Sequence, residues 1–155
     1  MNRIRLEVKN FSIDGVKISI HNSFYKITCE FIGPENSLFE NIPIKIDFIY
    51  NREYPFKPPR IIFNPPIFHP NVKPNGILVV NSLTGNDWSP VQTLSSIIPS
   101  IQNLLYIPFI CDENLRNNDK QMNDVVNDEC VNLEALKLWR TNPEQYRQIL
   151  LTCLE

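Results

Sequence analysis

A proline-rich stretch in the middle of the chain limits its fold more than any other feature. Residues 55 to 74 read PFKPPRIIFNPPIFHPNVKP, in a chain with 13 prolines and only 4 glycines. A proline has no backbone N–H and holds the preceding residue in extended geometry, so this stretch cannot be helical and can form little sheet. Large apolar side chains lie between the prolines, unlike in disordered proline-rich tracts. The pattern predicts an irregular crossing that is fixed to a core. The apolar residues are Phe56, Ile61, Ile62, Phe63, Ile67 and Phe68.

Two segments upstream of the crossing alternate apolar and polar residues. A period of two predicts strands that each bury one face. The segment IGPENS between them contains turn-forming Gly33, Pro34 and Asn36, which favours antiparallel pairing. A third strand is predicted over residues 60–64. The two apolar faces consist of Tyr25, Ile27, Cys29 and Phe31 in the first strand, and of Ile44, Ile46, Phe48 and Tyr50 in the second.

Downstream of the crossing the apolar period becomes that of an amphipathic helix. The helix is predicted to begin after Thr93, which is placed to cap it. In the C-terminal stretch TNPEQYRQILLTCLE, a second helix is predicted with Asn142 as its cap, Pro143 at its first position and Gln145 able to reach back. The first apolar face is Leu94, Ile97, Ile98, Ile101, Leu104 and Leu105, and the second is Tyr146, Ile149, Leu150, Cys153 and Leu154.

The remaining segments are less regular. A short helix is predicted around Leu133 to Trp139, and the Asn- and Asp-rich residues 116–132 before it predict a loop inside one domain that spans residues 1–155. Residues 3–11 fit both a strand and a helix. Cys29 and Cys153 lie on the apolar faces of predicted elements, so we expect both side chains in the core.

Charge and composition exclude several classes of function. A net charge of −2 and a pI near 5.7 offer no basic field for nucleic acid. The N-terminus is charged from Arg3 onward, and no run approaches the roughly 18 apolar residues that span a bilayer. The 4 cysteines lack CxxC spacing, so neither zinc nor a dense disulfide frame is indicated. We expect a soluble protein of the cytoplasm or nucleus with no cofactor and no membrane partner.

Four ordered motifs carry a resemblance to a known family. YPFKPPRIIF, IFHPNV followed by Gly76, DWSPVQTLSSIIPSIQNLL and the turn from Pro108 to Asp112 closely resemble ubiquitin-conjugating enzymes, in order and in spacing. The resemblance implies an α+β domain with an N-terminal helix, a four-stranded antiparallel meander, a long active-site crossing, a central helix and C-terminal helices. It favours the helical interpretation of residues 3–11.

The resemblance also implies where a nucleophile belongs. Active members carry a cysteine ten residues after the His of His-Pro-Asn and three after the following Gly. Counted from His69 and from Gly76, both distances end at Val79. That cysteine accepts ubiquitin as a thioester, which valine cannot do. We interpret Val79 as a β-branched residue in an extended apolar run.

The rest of the family's site is partly present. Asn71 matches the family's asparagine and is expected to persist as a hydrogen-bonding residue that ties the loop. His69 is expected to be a structural ring with backbone partners. The family's acidic gate corresponds to Cys111 and Asp112. If the fold is kept, Cys111 lies near the vacant position, so it is the alternative nucleophile, set against a loop thiol without chemistry.

The surface that binds partners in the family has counterparts here. Its first helix and two loops dock the ligase and the activating enzyme. Phe56 is either an exposed anchor of that surface or a core residue beneath the crossing. One additional residue between Val79 and Trp88 changes the loop beside the site. The matching residues are Arg3, Arg5, Phe56, Lys57, Ser89, Pro90 and Val91.

These observations predict a ubiquitin-conjugating fold without the usual catalytic centre. The expected partners are ubiquitin or a ubiquitin-like modifier, a ligase, and an active conjugating enzyme with which the protein forms a heterodimer. Two alternatives remain: an active conjugating enzyme that uses Cys111, and an interaction scaffold outside the ubiquitin pathway.

Overall fold

A four-stranded antiparallel sheet forms the frame of the protein, with helices before and after it. The computed structural model describes residues 2–21, 25–107 and 131–154. The strands are β1 (Lys17–Ile20), β2 (Lys26–Ile32), β3 (Pro43–Ile49) and β4 (Arg60–Phe63), adjacent in that order. The helices are α1 (Asn2–Lys9), α2 (Asn81–Thr84), α3 (Leu94–Leu104), α4 (Leu133–Thr141) and α5 (Pro143–Leu154). The expected α+β architecture is confirmed, including the helix at the N-terminus.

The strands follow the apolar alternation of the sequence. Ile27 faces Phe48 and Cys29 faces Ile46 across the β2–β3 ladder, and all four side chains are buried. Burial of these faces stabilises the pairing and fixes its register, because a slip of one residue would expose the whole apolar set. The three strands predicted from the residues are confirmed, within a residue or two at their ends.

The opposite face of the sheet contains a buried polar network. The Thr28 hydroxyl donates to Asp47 Oδ1 at 2.6 Å and lies 2.7 Å from His21 Nε2, while Lys26 Nζ lies 3.0 Å from Asp47 Oδ2. Burial alone would raise the pKa of Asp47, but hydrogen bonds from Thr28, Lys26 and Asn64 hold it below its usual value. The carboxylate is therefore accommodated because its oxygens are paired.

Helix α3 packs its apolar stripe against the core. Leu94, Ile97, Ile98 and Ile101 are completely buried, as the helical period predicts. At its N-terminus, Ser96 Oγ accepts the Thr93 backbone N–H at 3.0 Å. Thr93 is the cap position, as predicted.

The C-terminal helices tie the crossing and the β2–β3 connection together. Asn142 Oδ1 accepts the Gln145 backbone N–H at 3.1 Å, which confirms Asn142 as the cap of α5. The Tyr146 hydroxyl donates to the Phe68 carbonyl, and Arg147 Nη1 donates to the Leu38 carbonyl at 2.7 Å. The prediction that Cys153 is a core residue is wrong: its side chain is exposed in the last turn of α5, whereas Tyr146 and Leu150 on the same helix are buried.

The crossing is pinned as its apolar residues predict, with one exception. Ile61, Phe63 and Ile67 are buried, whereas Phe56 is 80% exposed. The crossing returns to the sheet at Gly76, whose φ is +83° and where an added Cβ would lie 2.2 Å from the Phe63 carbonyl oxygen. Only glycine fits there without strain.

Some predictions fall on parts of the chain that are not described. Cys111 and the turn from Pro108 to Asp112 lie outside the described residues, as does the predicted loop at 116–132 apart from its last two residues. Within the described ranges, none of the helices combines the length and the apolar character that crossing a bilayer requires.

Candidate functional site

The structure brings the His-Pro-Asn segment and Val79 together. Val79 N–H donates to the Asn71 carbonyl at 2.8 Å, and Leu78 N–H donates to the Ile61 carbonyl at 3.0 Å. Bridges between Val72 and Leu78 and between Ile62 and Ile77 add to this pairing. Residues 77–79 are therefore held extended between β4 and the segment that follows His69. The short helix α2 begins two residues later, at Asn81.

His69 is sealed inside the protein and both ring nitrogens are occupied. The ring is 1% exposed, Nε2 donates to the Leu104 carbonyl at 3.0 Å, and Nδ1 accepts the Asn71 backbone N–H at 3.0 Å. These two partners require a neutral ring with its proton on Nε2. Burial lowers the pKa of His69 to about 4, although the hydrogen bond to Leu104 opposes the shift. The ring is neutral at physiological pH and has no free nitrogen for proton transfer.

Aromatic side chains from three parts of the chain enclose this ring. Phe39 from the β2–β3 connection lies 5.9 Å from it between centroids, and Trp139 from α4 lies 5.4 Å away. Tyr146 from α5 contacts both Phe39 and Trp139. The closeness of these rings explains why water cannot reach His69. Through these contacts His69 links the crossing, α3 and the C-terminal helices.

Asn71 is also buried, with 0% exposure. Its N–H is bound to His69 and its carbonyl to Val79, so its backbone connects the histidine to position 79. The loop-tying arrangement expected of this segment thus involves the Asn71 main chain.

Position 79 offers no reactive atom. Val79 is half-buried, its neighbours Leu78 and Val80 are buried aliphatic residues, and Ser82 lies in α2. A cleft of about 450 Å³ opens beside it, and its walls include Pro58, Arg60 and Thr84. The structure therefore has an open cleft beside position 79 but no nucleophile at this position.

The two cysteines in the described part of the chain lie elsewhere. Cys29 is in β2 on the core face of the sheet, where burial raises its pKa to about 12. A thiol with that pKa is protonated and unreactive at neutral pH. Cys153 is exposed in the last turn of α5.

The residues of the predicted partner surface differ in their surroundings. Phe56 and Val91 are 80% and 81% exposed, so Phe56 does not pack beneath the crossing. Lys57 is exposed and lies 2.7 Å from the Glu53 carboxylate. Ser89 is half-buried, whereas Pro90 and Arg5 are exposed. The structure thus leaves large apolar side chains on both loops uncovered.

Arg3 is engaged with its own protein. Its Nε donates to Glu7 Oε1 at 2.6 Å, and its Nη2 donates to the Gln92 carbonyl at 3.3 Å. Sequence reasoning missed Glu7, although the spacing of four from Arg3 on a helix is a recognisable pairing signal. It also missed Leu6, which is 56% exposed because it lies off the apolar stripe that includes Ile4 and Val8.

Comparison with known proteins gives a consistent result. Residues 3–153 match the sequence model of a family described as ubiquitin-conjugating enzyme. The chain is also similar to a protein of Schizosaccharomyces pombe named "Ubiquitin-conjugating enzyme E2-20 kDa", with 31% identity over 119 residues. That alignment covers 77% of this chain and 57% of the relative, so the chain spans little more than half of the relative's length.

Proposed function

The chain belongs to the ubiquitin-conjugating enzyme family, and we propose that it is a noncatalytic member that binds proteins of the ubiquitin or ubiquitin-like modifier pathway. The side chain at position 79 carries this proposal. The resemblance implies a thioester-forming cysteine there, and the chain has valine. An aliphatic side chain has no lone pair with which to attack or hold an acyl group.

The surroundings of Val79 support a site that lacks the nucleophile but keeps an ordered backbone. The backbone bond from Val79 to Asn71 and the bond from Asn71 to His69 hold the segment in one defined geometry. An ordered frame around an unreactive residue fits a protein that is selected for its shape and its contacts. His69 supports the same conclusion, because a sealed neutral ring stabilises the frame and transfers no proton.

The exposed apolar residues support a binding role. Leu6 on α1, Phe56 on the first loop and Val91 on the second are all more than half exposed. Contiguous exposed apolar surface marks sites of protein–protein interaction, and an exposed aromatic side chain such as Phe56 is a suitable anchor for one. The expected occupants are a ligase, an activating enzyme or an active conjugating enzyme in a heterodimer, and the expected location is the cytoplasm or nucleus.

A charging assay tests the noncatalytic part of the proposal. The protein is incubated with a ubiquitin-activating enzyme, ATP and ubiquitin or a ubiquitin-like modifier, and adducts are separated with and without reductant. We expect no reductant-sensitive adduct of the wild-type protein. The matched control is Val79→Cys, which restores a thiol at the same backbone position and should form such an adduct. A wild-type thioester that Cys111→Ala abolishes would instead establish the alternative of an active enzyme.

A second assay tests the binding part. The immobilised protein is incubated with an active ubiquitin-conjugating enzyme, and the rate of chain synthesis by that enzyme is measured with and without the protein. We expect the immobilised protein to retain the conjugating enzyme and to accelerate its chain synthesis. Phe56→Ala should weaken both effects. Failure to bind any of the conjugating enzyme, activating enzyme, ligase and modifier would favour a scaffold outside the pathway.

A further inference from the structure

One buried carboxylate joins the three segments that carry the exposed apolar residues. Glu7 is 8% exposed, although it lies on the surface helix α1. Its Oε1 accepts hydrogen bonds from Arg3 Nε at 2.6 Å and from the Tyr54 hydroxyl at 2.7 Å, and its Oε2 accepts the Leu94 backbone N–H at 3.0 Å. The carboxylate therefore has charged, hydroxyl and amide donors from three separate parts of the chain.

Each of these donors fixes a different segment. Tyr54 begins the loop that carries Phe56, and Leu94 is the first residue of α3, three residues after Val91. The Leu94 N–H is one of the donors that a helix leaves unpaired at its N-terminus, and a negative charge at that end is favourable. Glu7 thus caps α3 from a distance and holds the first loop with the same group.

The charge of Glu7 is matched from its own helix. Arg3, one turn earlier, pairs with the carboxylate and also donates to the Gln92 carbonyl in the second loop. Burial raises the pKa of Tyr54, and its hydrogen bond to the Glu7 carboxylate raises it further. The hydroxyl therefore keeps its proton, and remains a donor, at physiological pH. A buried carboxylate with this set of donors is stabilised in one orientation.

We propose that Glu7 is a positioning residue for the docking surface: it sets the relative placement of Leu6, Phe56 and Val91 without contacting the partner. This inference rests on the proposed function, in which those side chains contact a pathway protein. It assigns Arg3, a predicted partner contact, an internal role as the counterion of Glu7. Each of the three apolar residues lies within three positions of a member of this hydrogen-bonded network.

Glu7→Gln is the informative variant because it keeps the size and the helix while it removes the charge and one acceptor. A glutamine cannot accept from all three donors, since its amide nitrogen is itself a donor. The matched control is Arg147→Ala, which removes hydrogen bonds to the Leu38 and Glu40 carbonyls at 2.7 and 3.0 Å in another part of the protein. Tyr54→Phe is a milder second variant that removes a single donor.

The experiment combines amide hydrogen exchange with binding to a ubiquitin-activating enzyme as the probe. In Glu7→Gln we expect at least tenfold faster exchange at the Leu94 amide and in residues 54–57, with no such change in Arg147→Ala. We also expect binding at least threefold weaker, and this loss should shrink when Phe56 is already alanine. Such non-additivity distinguishes positioning of Phe56 from general destabilisation.

The contrary outcomes are distinguishable. Suppose that Phe56→Ala weakens binding as expected. The role of Glu7 would then be overturned if Glu7→Gln leaves exchange at Leu94 and in the first loop unchanged, or if it speeds exchange but binds with full affinity. If the activating enzyme does not bind the wild-type protein, or if it binds Phe56→Ala equally well, then the activating enzyme does not dock on this surface, and the role of Glu7 in that binding is refuted.

Discussion

Protonation of His69 should make the protein markedly less stable in mild acid. The burial of the ring holds its pKa at about 4, against 6.5 for an unfolded histidine. Well above pH 6.5 neither state binds the proton and the histidine has no effect on the pH dependence of stability. Between pH 6.5 and about 4 the unfolded state binds a proton that the folded state cannot, so the free energy of unfolding falls as the pH falls. At about 1.4 kcal/mol per pKa unit, the loss reaches about 3 kcal/mol near pH 4.

Urea unfolding measured from pH 7.5 to pH 4 tests this expectation. The variant His69→Gln is neutral at every pH, so the slope that belongs to His69 should be missing from it. The variant itself is expected to be less stable at pH 7, because it disturbs the bonds to Leu104 and Asn71. Phe56→Ala is the matched control, because it leaves His69 and its two hydrogen bonds in place and should keep the pH dependence of the wild type. Equal pH slopes for wild type and His69→Gln would refute the sealed neutral ring.

Three further substitutions test other parts of the structure. Gly76→Ala should lower the free energy of unfolding by more than about 2 kcal/mol, because its Cβ would lie 2.2 Å from the Phe63 carbonyl oxygen. A melting curve like that of the wild type would contradict this close approach of Gly76 to Phe63. Phe56→Ala should change stability by less than about 0.5 kcal/mol, since Phe56 is 80% exposed, and a large loss in urea would show that the ring is buried. Thr28→Val keeps the side-chain shape but removes a donor to Asp47, so chemical denaturation should show a loss of about 1–3 kcal/mol, and an unchanged midpoint would rule out the polar network.

The elements that the sequence predicts well are those with an unbroken apolar period. Strands β2 and β3 and helix α3 each bury one continuous face, so pattern and structure agree. Strand β1 could not be found this way: it has only four residues, and just Ile18 among them is even partly buried. Its place in the sheet comes from its pairing with β2, which is a tertiary interaction.

The burial of polar side chains also could not be predicted from the sequence. Alternation places Thr28 and Asp47 on the outer face, and it gives no sign that they are 2% and 5% exposed. Their burial depends on donors from His21, Lys26 and Asn64 that converge only in the folded sheet. Glu7 is a similar case, because two of its donors come from Tyr54 and Leu94, far along the chain.

The candidate site was predictable in outline and not in detail. Motif spacing identifies Val79 as the counterpart of the family's cysteine, and the structure joins it to the His-Pro-Asn segment through the bond from its N–H to the Asn71 carbonyl. The sequence does not reveal that His69 is enclosed, because Leu104 and Trp139 come from distant helices. Phe56 and Phe63 lie in similar proline-rich surroundings, yet one is 80% and the other 2% exposed, a difference that only the packing of the crossing decides.

The most direct test of the noncatalytic proposal is the intact mass of the protein after incubation with a ubiquitin-activating enzyme, ATP and ubiquitin. We expect the wild-type protein to keep its unmodified mass, while Val79→Cys gains the mass of one ubiquitin, which is lost on treatment with reductant. A reductant-sensitive gain of one ubiquitin by the wild-type protein itself would contradict the proposal.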